Sequence, residues 1–423
     1  MSTVALLNQS ETDFRHIKTL HVFWAGFIIY TVGFTMSTSG DANYRICNAA
    51  QLLGVLLLAP AAIRLIDFSY ENKYLKVMYT LYCLWLLFVV ARGFSLEYGF
   101  VKKTLFNPYS GIFLYLAPLI IAFPKHPYFL KTVFNVIFIL GVFYLLHVGI
   151  YSNELKNLDS LDGKTMLEYF VKTLAIPCGF ILLTYSYQPN WRKLVALLVI
   201  LLTILLATYR ARRGLMFMSG SIMIFYCLMF FYAYRRRLSY LFLAVMLGML
   251  LALYGYNLYQ NEKLEVFSFA KERLDAQTRS EVELYYYADM ETEDWVIGRG
   301  IDGLVAAPVG LFEDHVDGKP GYRDGIETDY LTIILKGGII SLGLLLLIAV
   351  PAIIQGIFFS KNMLSKAAGI WILLWLVSLY PTTVTTFTLN YLLVWISIGI
   401  CYSKQIRNIP ESELAPALKG KLT

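Results

Sequence analysis

Apolar residues in this chain fall into runs of about 18–22, separated by short polar connections, and each run is long enough to cross a hydrocarbon core of about 30 Å as a helix. Twelve such runs predict membrane spans at 19–36, 47–66, 75–93, 108–123, 129–151, 167–187, 191–208, 214–234, 239–258, 328–358, 365–380 and 386–403. One long interval breaks the pattern. Between 259 and 327 the chain reads NEKLEVFSFAKERLDAQTRSEVELYYYADMETEDWVIGRGIDG, then a Gly/Pro-punctuated link, then GYRDGIETDY, where the apolar pattern resumes. The predicted fold is therefore all-α and polytopic. Helices one to nine occupy 1–258, a large polar loop with short helices 259–327, helices ten to twelve 328–403, and a short polar tail 404–423, expected to be loosely ordered.

Composition agrees: 58% apolar and 15% charged residues, with a mean hydropathy of +0.59, do not fit a soluble domain with a polar surface. Charge orients the helices. The chain carries +7 in all, yet the 259–327 loop holds sixteen carboxylates and seven Lys/Arg, leaving about +16 on the rest. Arg64, Lys73, Lys76, Lys125, Lys131, Arg192, Lys193, Arg235–Arg237, Lys361, Lys366, Lys404 and Arg407 all fall in alternate connections, which the positive-inside rule assigns to the cytoplasm. Both termini are then expected to be cytoplasmic and the acidic loop external, which in a bacterium means an inner-membrane protein with a periplasmic loop. The first apolar run, after FRHIK, lacks a small-residue cleavage signature and is read as a retained helix. Five cysteines, in or beside the spans, form no CxxC pattern and read as packing residues, with no disulfide or zinc site expected.

Two external connections go against the charge rule. Arg92 with Lys102 and Lys103, and the tighter cluster Arg210, Arg212 and Arg213, place cations where topology disfavours them. Either they snorkel to headgroups or they bind an anion. Arg210 and Arg213 stand three apart, so on the first turn of a helix they would offer two guanidinium forks to one ligand. Glu327, where the loop re-enters the membrane, also has two readings. It is a candidate general base at the mouth of the bundle, or the acid of a capping box with Asp324. Lys336, about two and a half turns further on, either points into the bundle or snorkels outward. In the loop, Arg279 precedes Tyr285–Tyr287, and Trp295 leads to Gly298-Arg299-Gly300, with Arg323 shortly before re-entry. Such aromatic and charged residues suit either a sugar or a membrane interface. The Thr-rich connection PTTVTTFTLN either bonds helices together or lines a groove. A phosphate-binding loop, a dinucleotide fingerprint, HExxH and GxSxG are all absent, and the five histidines are scattered. No cofactor, metal or nucleic acid is expected.

Three stretches resemble the O-antigen polymerase/ligase superfamily of bacterial membrane glycosyltransferases. TILLATYRARRGLMF resembles that family's T-x-S-R-G element, with Arg213-Gly214 at the matching Arg-Gly and Tyr209 and Ala211 departing from it. Arg279 followed by EDWVIGRGIDG resembles the family's loop arginine, short helix and G-x-G turn, with Gly298 and Gly300 matching. IETDYLTIILKGGIISLGLLLLI is similar to the element that opens the next helix. The similarity covers roughly residues 195–360. It implies a GT-C-like architecture and a metal-independent transfer of glycan from an undecaprenyl-pyrophosphate donor to an acceptor hydroxyl at the periplasmic face. By the resemblance, Arg213, Arg210 and Glu327 are the catalytic candidates, and Arg279 grips the donor. Arg299, Arg323, Lys336 and Trp295 are further substrate-binding candidates. Ligases of the family place His where this chain has Glu327, which favours a polymerase of lipid-linked repeat units, with a chain-length regulator as a candidate partner; a ligase is the alternative. From a different class, a lipid-oligosaccharide flippase would also need cations along a headgroup path, but charges within the spans are few and the sequence shows no repeat symmetry.

Overall fold

The computed structural model describes residues 12–39, 43–68, 70–124, 127–157, 160–233, 278–306 and 321–419. These are almost wholly helical. A single strand pair among them, Val305–Ala306 with Tyr322–Arg323, is antiparallel with Val305 opposite Arg323. Among the described residues, eight helices are long and apolar enough to cross a membrane: His16–Ser37, Tyr44–Leu65, Lys73–Gly93, Pro127–Ile150, Asp162–Leu183, Asn190–Tyr209, Arg213–Phe231 and Asp329–Phe358. Three shorter apolar helices are Ile112–Ala122, Met363–Ser378 and Leu389–Tyr402. Each of the eleven lies on a run that hydropathy predicts; the predicted run 239–258 lies outside the described residues. The chain is thus an all-α protein of the polytopic membrane type.

Burial distinguishes the helices by position. In the Asp162–Leu183 helix 89% of the most apolar stretch is buried, against 28% in Tyr44–Leu65, so the former is the axis of the bundle. Outer helices turn large side chains away from protein, as Ile63, Leu84, Leu194 and Leu205 do, and this suits contact with lipid. The first two helices pack backbone to backbone: a Cβ on Gly26 would stand 2.7 Å from the Gly54 carbonyl oxygen.

Connections gather at two faces. At the loop face, the helices Thr278–Asp289 and Thr292–Ile297 form a small unit, the second opened by a reciprocal Glu291/Asp294 capping box. Val282, Tyr286, Met290 and Val305 pack with Ile326, Leu331, Ile334 and Leu335 in a separate apolar cluster, which roots the loop on the start of the Asp329–Phe358 helix. At the opposite face lies the tail. Its expected looseness is not what the structure shows: Lys404–Asn408 and Glu411–Lys419 are helices with Ile406, Leu414 and Leu418 buried. Asn362 Nδ2 donates to the carbonyls of Ile406 (2.7 Å) and Ile409 (3.0 Å), and Glu411 accepts from Tyr187 Oη (2.7 Å) and the Met363 amide (2.8 Å). An amphipathic i, i+4 pair in a polar tail is enough to dock it.

Candidate functional site

The run IILKGGIISLG predicts an unbroken helix, but the helix breaks within it. Gly338 adopts φ 67°, ψ −179° inside Asp329–Phe358. A glycine takes this conformation without steric cost, and the break frees carbonyls that must find other donors. They do. The Arg299 amide donates to Leu335 O (2.7 Å), the Gly300 amide to Lys336 O (2.9 Å) and Trp85 Nε1 to Gly337 O (2.9 Å). The Gly298-Arg299-Gly300 turn therefore sits directly on the break, so close that a Cβ on Gly298 would lie 2.5 Å from the Gly337 amide nitrogen.

In front of this break opens a cavity of about 490 Å³ at the loop face. Its wall is made by the helices Lys73–Gly93 and Asp329–Phe358, the segments 107–115 and 323–327, the start of the central helix, and the 383–385 connection. Five cations line it (Lys164, Lys172, Arg212, Arg323, Lys336), together with the carboxylates Glu168, Asp324, Glu327 and Asp329 and the rings of Tyr82, Tyr109, Tyr115, Tyr169 and Tyr391. Lys172 reaches it from a π-helical turn, Val171–Ala175, within the central helix. Pro177 follows closely and has no N–H with which to continue the α-helical ladder.

Most of these charges are already engaged. Glu168 accepts from Lys172 Nζ (2.6 Å) and also pairs with Arg212, bridging two cations. Asp324 pairs with Lys103 (3.3 Å), and Lys336 Nζ donates to Gly303 O (2.8 Å). Asp329 is fully buried; its Oδ2 accepts from the amides of Val384 (2.8 Å) and Thr385 (2.6 Å), while Oδ1 makes no hydrogen bond. The hydroxyls of Tyr109 and Ser110, also on the wall, are buried without a partner. Buried polar atoms left without partners are costly and mark places where a ligand would be welcome. Glu327 is the exposed carboxylate of the set, and its charge, like that of Asp329, reaches Lys172.

The three clustered arginines do three different things. Ala211 takes a positive φ of 51°, rare for a residue with a side chain, and the next helix begins only at Arg213. Arg210 and Arg213 therefore do not share a first helical turn, which corrects the paired-fork expectation. Arg210 is buried and spent on backbone: Nε donates to Leu155 O (2.9 Å), Nη1 to Ser160 O (3.1 Å) and Nη2 to Glu154 O (2.5 Å) and Asn157 O (2.6 Å). It clamps the connection that leads into the central helix. Arg212 lines the cavity and Arg213 is exposed beside it.

Of the other predicted site residues, Glu327, Arg323 and Lys336 line the cavity, and Lys336 points inward. Arg299 does not. It pairs with Asp289 (2.6 Å) and Asp294 (2.7 Å) and donates to the carbonyls of Leu304 and Asp289, holding the loop unit together. Burial by itself would raise the Asp294 carboxyl, but the Arg299 guanidinium outweighs it and holds the group below the usual carboxylate value. Trp295 stacks on Tyr287 with ring centroids 5.9 Å apart, within the loop and away from the cavity wall. Arg279 stands in the first turn of Thr278–Asp289, with its side chain outside the described residues. The expected Asp324/Glu327 capping box is not formed, because the helix starts later, at Asp329, with Thr328 as its N-cap.

Sequence reasoning passed over Lys164, Glu168, Lys172 and Asp329, and named Arg212 only as a member of the arginine cluster. A signal for Lys172 was present, since a lysine inside an apolar run is costly in lipid and marks a polar interior. Compared with known proteins, the chain matches no family model, no curated sequence and no solved structure.

Proposed function

We propose that this chain is a bacterial membrane glycosyltransferase that transfers glycan from an undecaprenyl-pyrophosphate donor and polymerises lipid-linked repeat units at the periplasmic face of the inner membrane. On this reading the chain has twelve spans with both termini in the cytoplasm, in a GT-C-like arrangement. One observation carries the reading: the loop-face cavity gathers five cations and an exposed carboxylate, Glu327, at the end of a bundle whose sides suit lipid.

The chemistry follows from the charges. Glu327 takes the proton of an acceptor sugar hydroxyl, the oxygen attacks the anomeric carbon, and the bond from that carbon to the pyrophosphate oxygen breaks. The departing diphosphate gains negative charge, which Arg212, Lys172 and Lys164 would offset, with Arg323 and Lys336 also on the lining. Glu168, now bridging Lys172 and Arg212, occupies the place of a diphosphate oxygen and would be exchanged for it on binding. Tyrosine rings along the wall suit the faces of sugars. The donor is activated before it arrives, so no nucleotide is required.

The test is a transfer assay with the reconstituted full chain, lipid-pyrophosphate-linked repeat units and EDTA. Wild type is expected to build ladders of product, and Glu327→Gln and Arg212→Ala to lose them while remaining folded in detergent. Movement of labelled lipid between leaflets without any product would replace the enzyme with a transporter.

A further inference from the structure

A second cavity, of about 1160 Å³, opens at the tail face. Its wall carries Lys131, Arg192, Lys193, Lys361, Lys366 and Lys419, with one carboxylate, Glu411. That carboxylate is occupied: it accepts from Ser186 Oγ (3.2 Å), Tyr187 Oη (2.7 Å) and the Met363 amide (2.8 Å), which ties down the tail helix. The lining is rich in donors and cations and poor in acceptors.

Topology alone puts cations at this face, because basic residues collect on the side that is not translocated. It does not explain three further facts. First, the helices Asn190–Tyr209 and Met363–Ser378 both begin at this cavity, and the former has no side-chain cap on its opening amides. Second, helix first turns favour acids, yet neither first turn holds an acid, and Arg192, Lys193 and Lys366 stand there or next to it. Third, Gln188 lines the cavity at 4% exposure with its Nε2 donating to nothing, and Arg192, whose guanidinium lies over the Phe138 and Trp191 rings, keeps a buried Nε that makes no hydrogen bond. Helix N-termini, flexible cations and an idle buried amide are the components of a phosphate site.

We infer that the tail-face cavity binds a phosphate group, carried either by an anionic phospholipid headgroup or by a soluble phosphate compound. The inference is independent of the transfer chemistry proposed for the loop face. Trp191, 52% exposed beside the cavity, is placed as an interfacial anchor and suits access from the lipid side.

The test uses the full chain in a neutral detergent, with native mass spectrometry and thermal melting as readouts. Phosphatidylglycerol, phosphatidylcholine and inorganic phosphate are the probes. Phosphatidylglycerol is expected to be retained about tenfold better than phosphatidylcholine, and Lys193→Gln with Lys361→Gln to remove most of that preference. The deciding variant is Gln188→Leu, which keeps every charge, relieves an unsatisfied donor and should fold at least as well as wild type. A built site loses several-fold in retention in this variant, while a merely topogenic cluster loses nothing. Competition by inorganic phosphate identifies the phosphate alone as the ligand; retention of the lipid despite excess phosphate identifies the headgroup. Equal retention of the two lipids with no response to inorganic phosphate, or an unchanged Gln188→Leu, would overturn the inference.

Discussion

The two cavities at opposite ends of this bundle use the same side chains to different ends. At the loop face five cations meet four carboxylates, and bridges such as Lys172–Glu168–Arg212 hold the charges at fixed distances. At the tail face six cations meet one carboxylate that is already taken. A balanced set has groups that accept protons next to groups that stabilise anions, and this is what a reaction needs. A one-signed set attracts an anion but offers it no base. Their construction differs too. The loop-face cavity depends on irregular backbone, namely a broken helix, a π turn and a residue at positive φ, whereas the tail-face cavity is assembled from two regular helix starts, the short 3-10 turn Tyr185–Tyr187 and a docked tail.

The sharpest way to break that contrast is Gly338→Ala. A Cβ there would lie within 2 Å of the Val296 carbonyl oxygen at a φ that penalises side chains. The loop turn must lift off the break, at a cost of about 3 kcal/mol or more. Transfer activity should vanish, while phosphate retention at the tail face persists; loss of both would mean that the two ends fold as one unit. Next comes Arg210→Met, which removes the guanidinium from four carbonyls, of which Asn157 O and Ser160 O keep a backbone amide, and should lower stability by about 3 kcal/mol, with a fall in melting temperature that Arg210→Lys only partly restores. Arg212→Lys should leave melting nearly unchanged yet reduce transfer by about a hundredfold, because an ammonium cannot present the fork that a diphosphate matches. The smallest effect concerns pH. Asp294 is depressed in the folded protein, so its ion pair with Arg299 stabilises the loop fully above the ordinary carboxylate value of 3.8 and is lost as the pH falls below it. Asp294→Asn should remove that dependence, read as the acid-induced change in fluorescence of the Trp295–Tyr287 stack.

The fold was largely legible because hydropathy reports what lipid demands of a helix, and every described span sits on an apolar run. The candidate site was legible in part. Glu327, Arg323 and Lys336 were marked by charge beside or within a span, and all three line the cavity. The arginine cluster shows where such reading stops: Arg210, Arg212 and Arg213 differ in role because Ala211 adopts an αL conformation that alanine rarely takes, and no residue type announces it. Lys172 carries a signal of its own, a lysine within an apolar run, but the π turn that holds it leaves no mark in the residue types. Asp329 was passed over for its neighbour Glu327, since only burial separates them. The tail was misjudged because its apolar positions are few, and their spacing carries the information.

The broken helix also bears on how the protein is made. While the Asp329–Phe358 helix enters the bilayer, the carbonyls of Leu335, Lys336 and Gly337 can stay unbonded in hydrocarbon only at several kcal/mol each. The groups that satisfy them, the amides of Arg299 and Gly300 and the Trp85 indole, all precede that helix in the chain and are synthesised first. The break therefore needs nothing that follows its helix in the chain to complete it: every donor that satisfies its three freed carbonyls already exists when the helix is made.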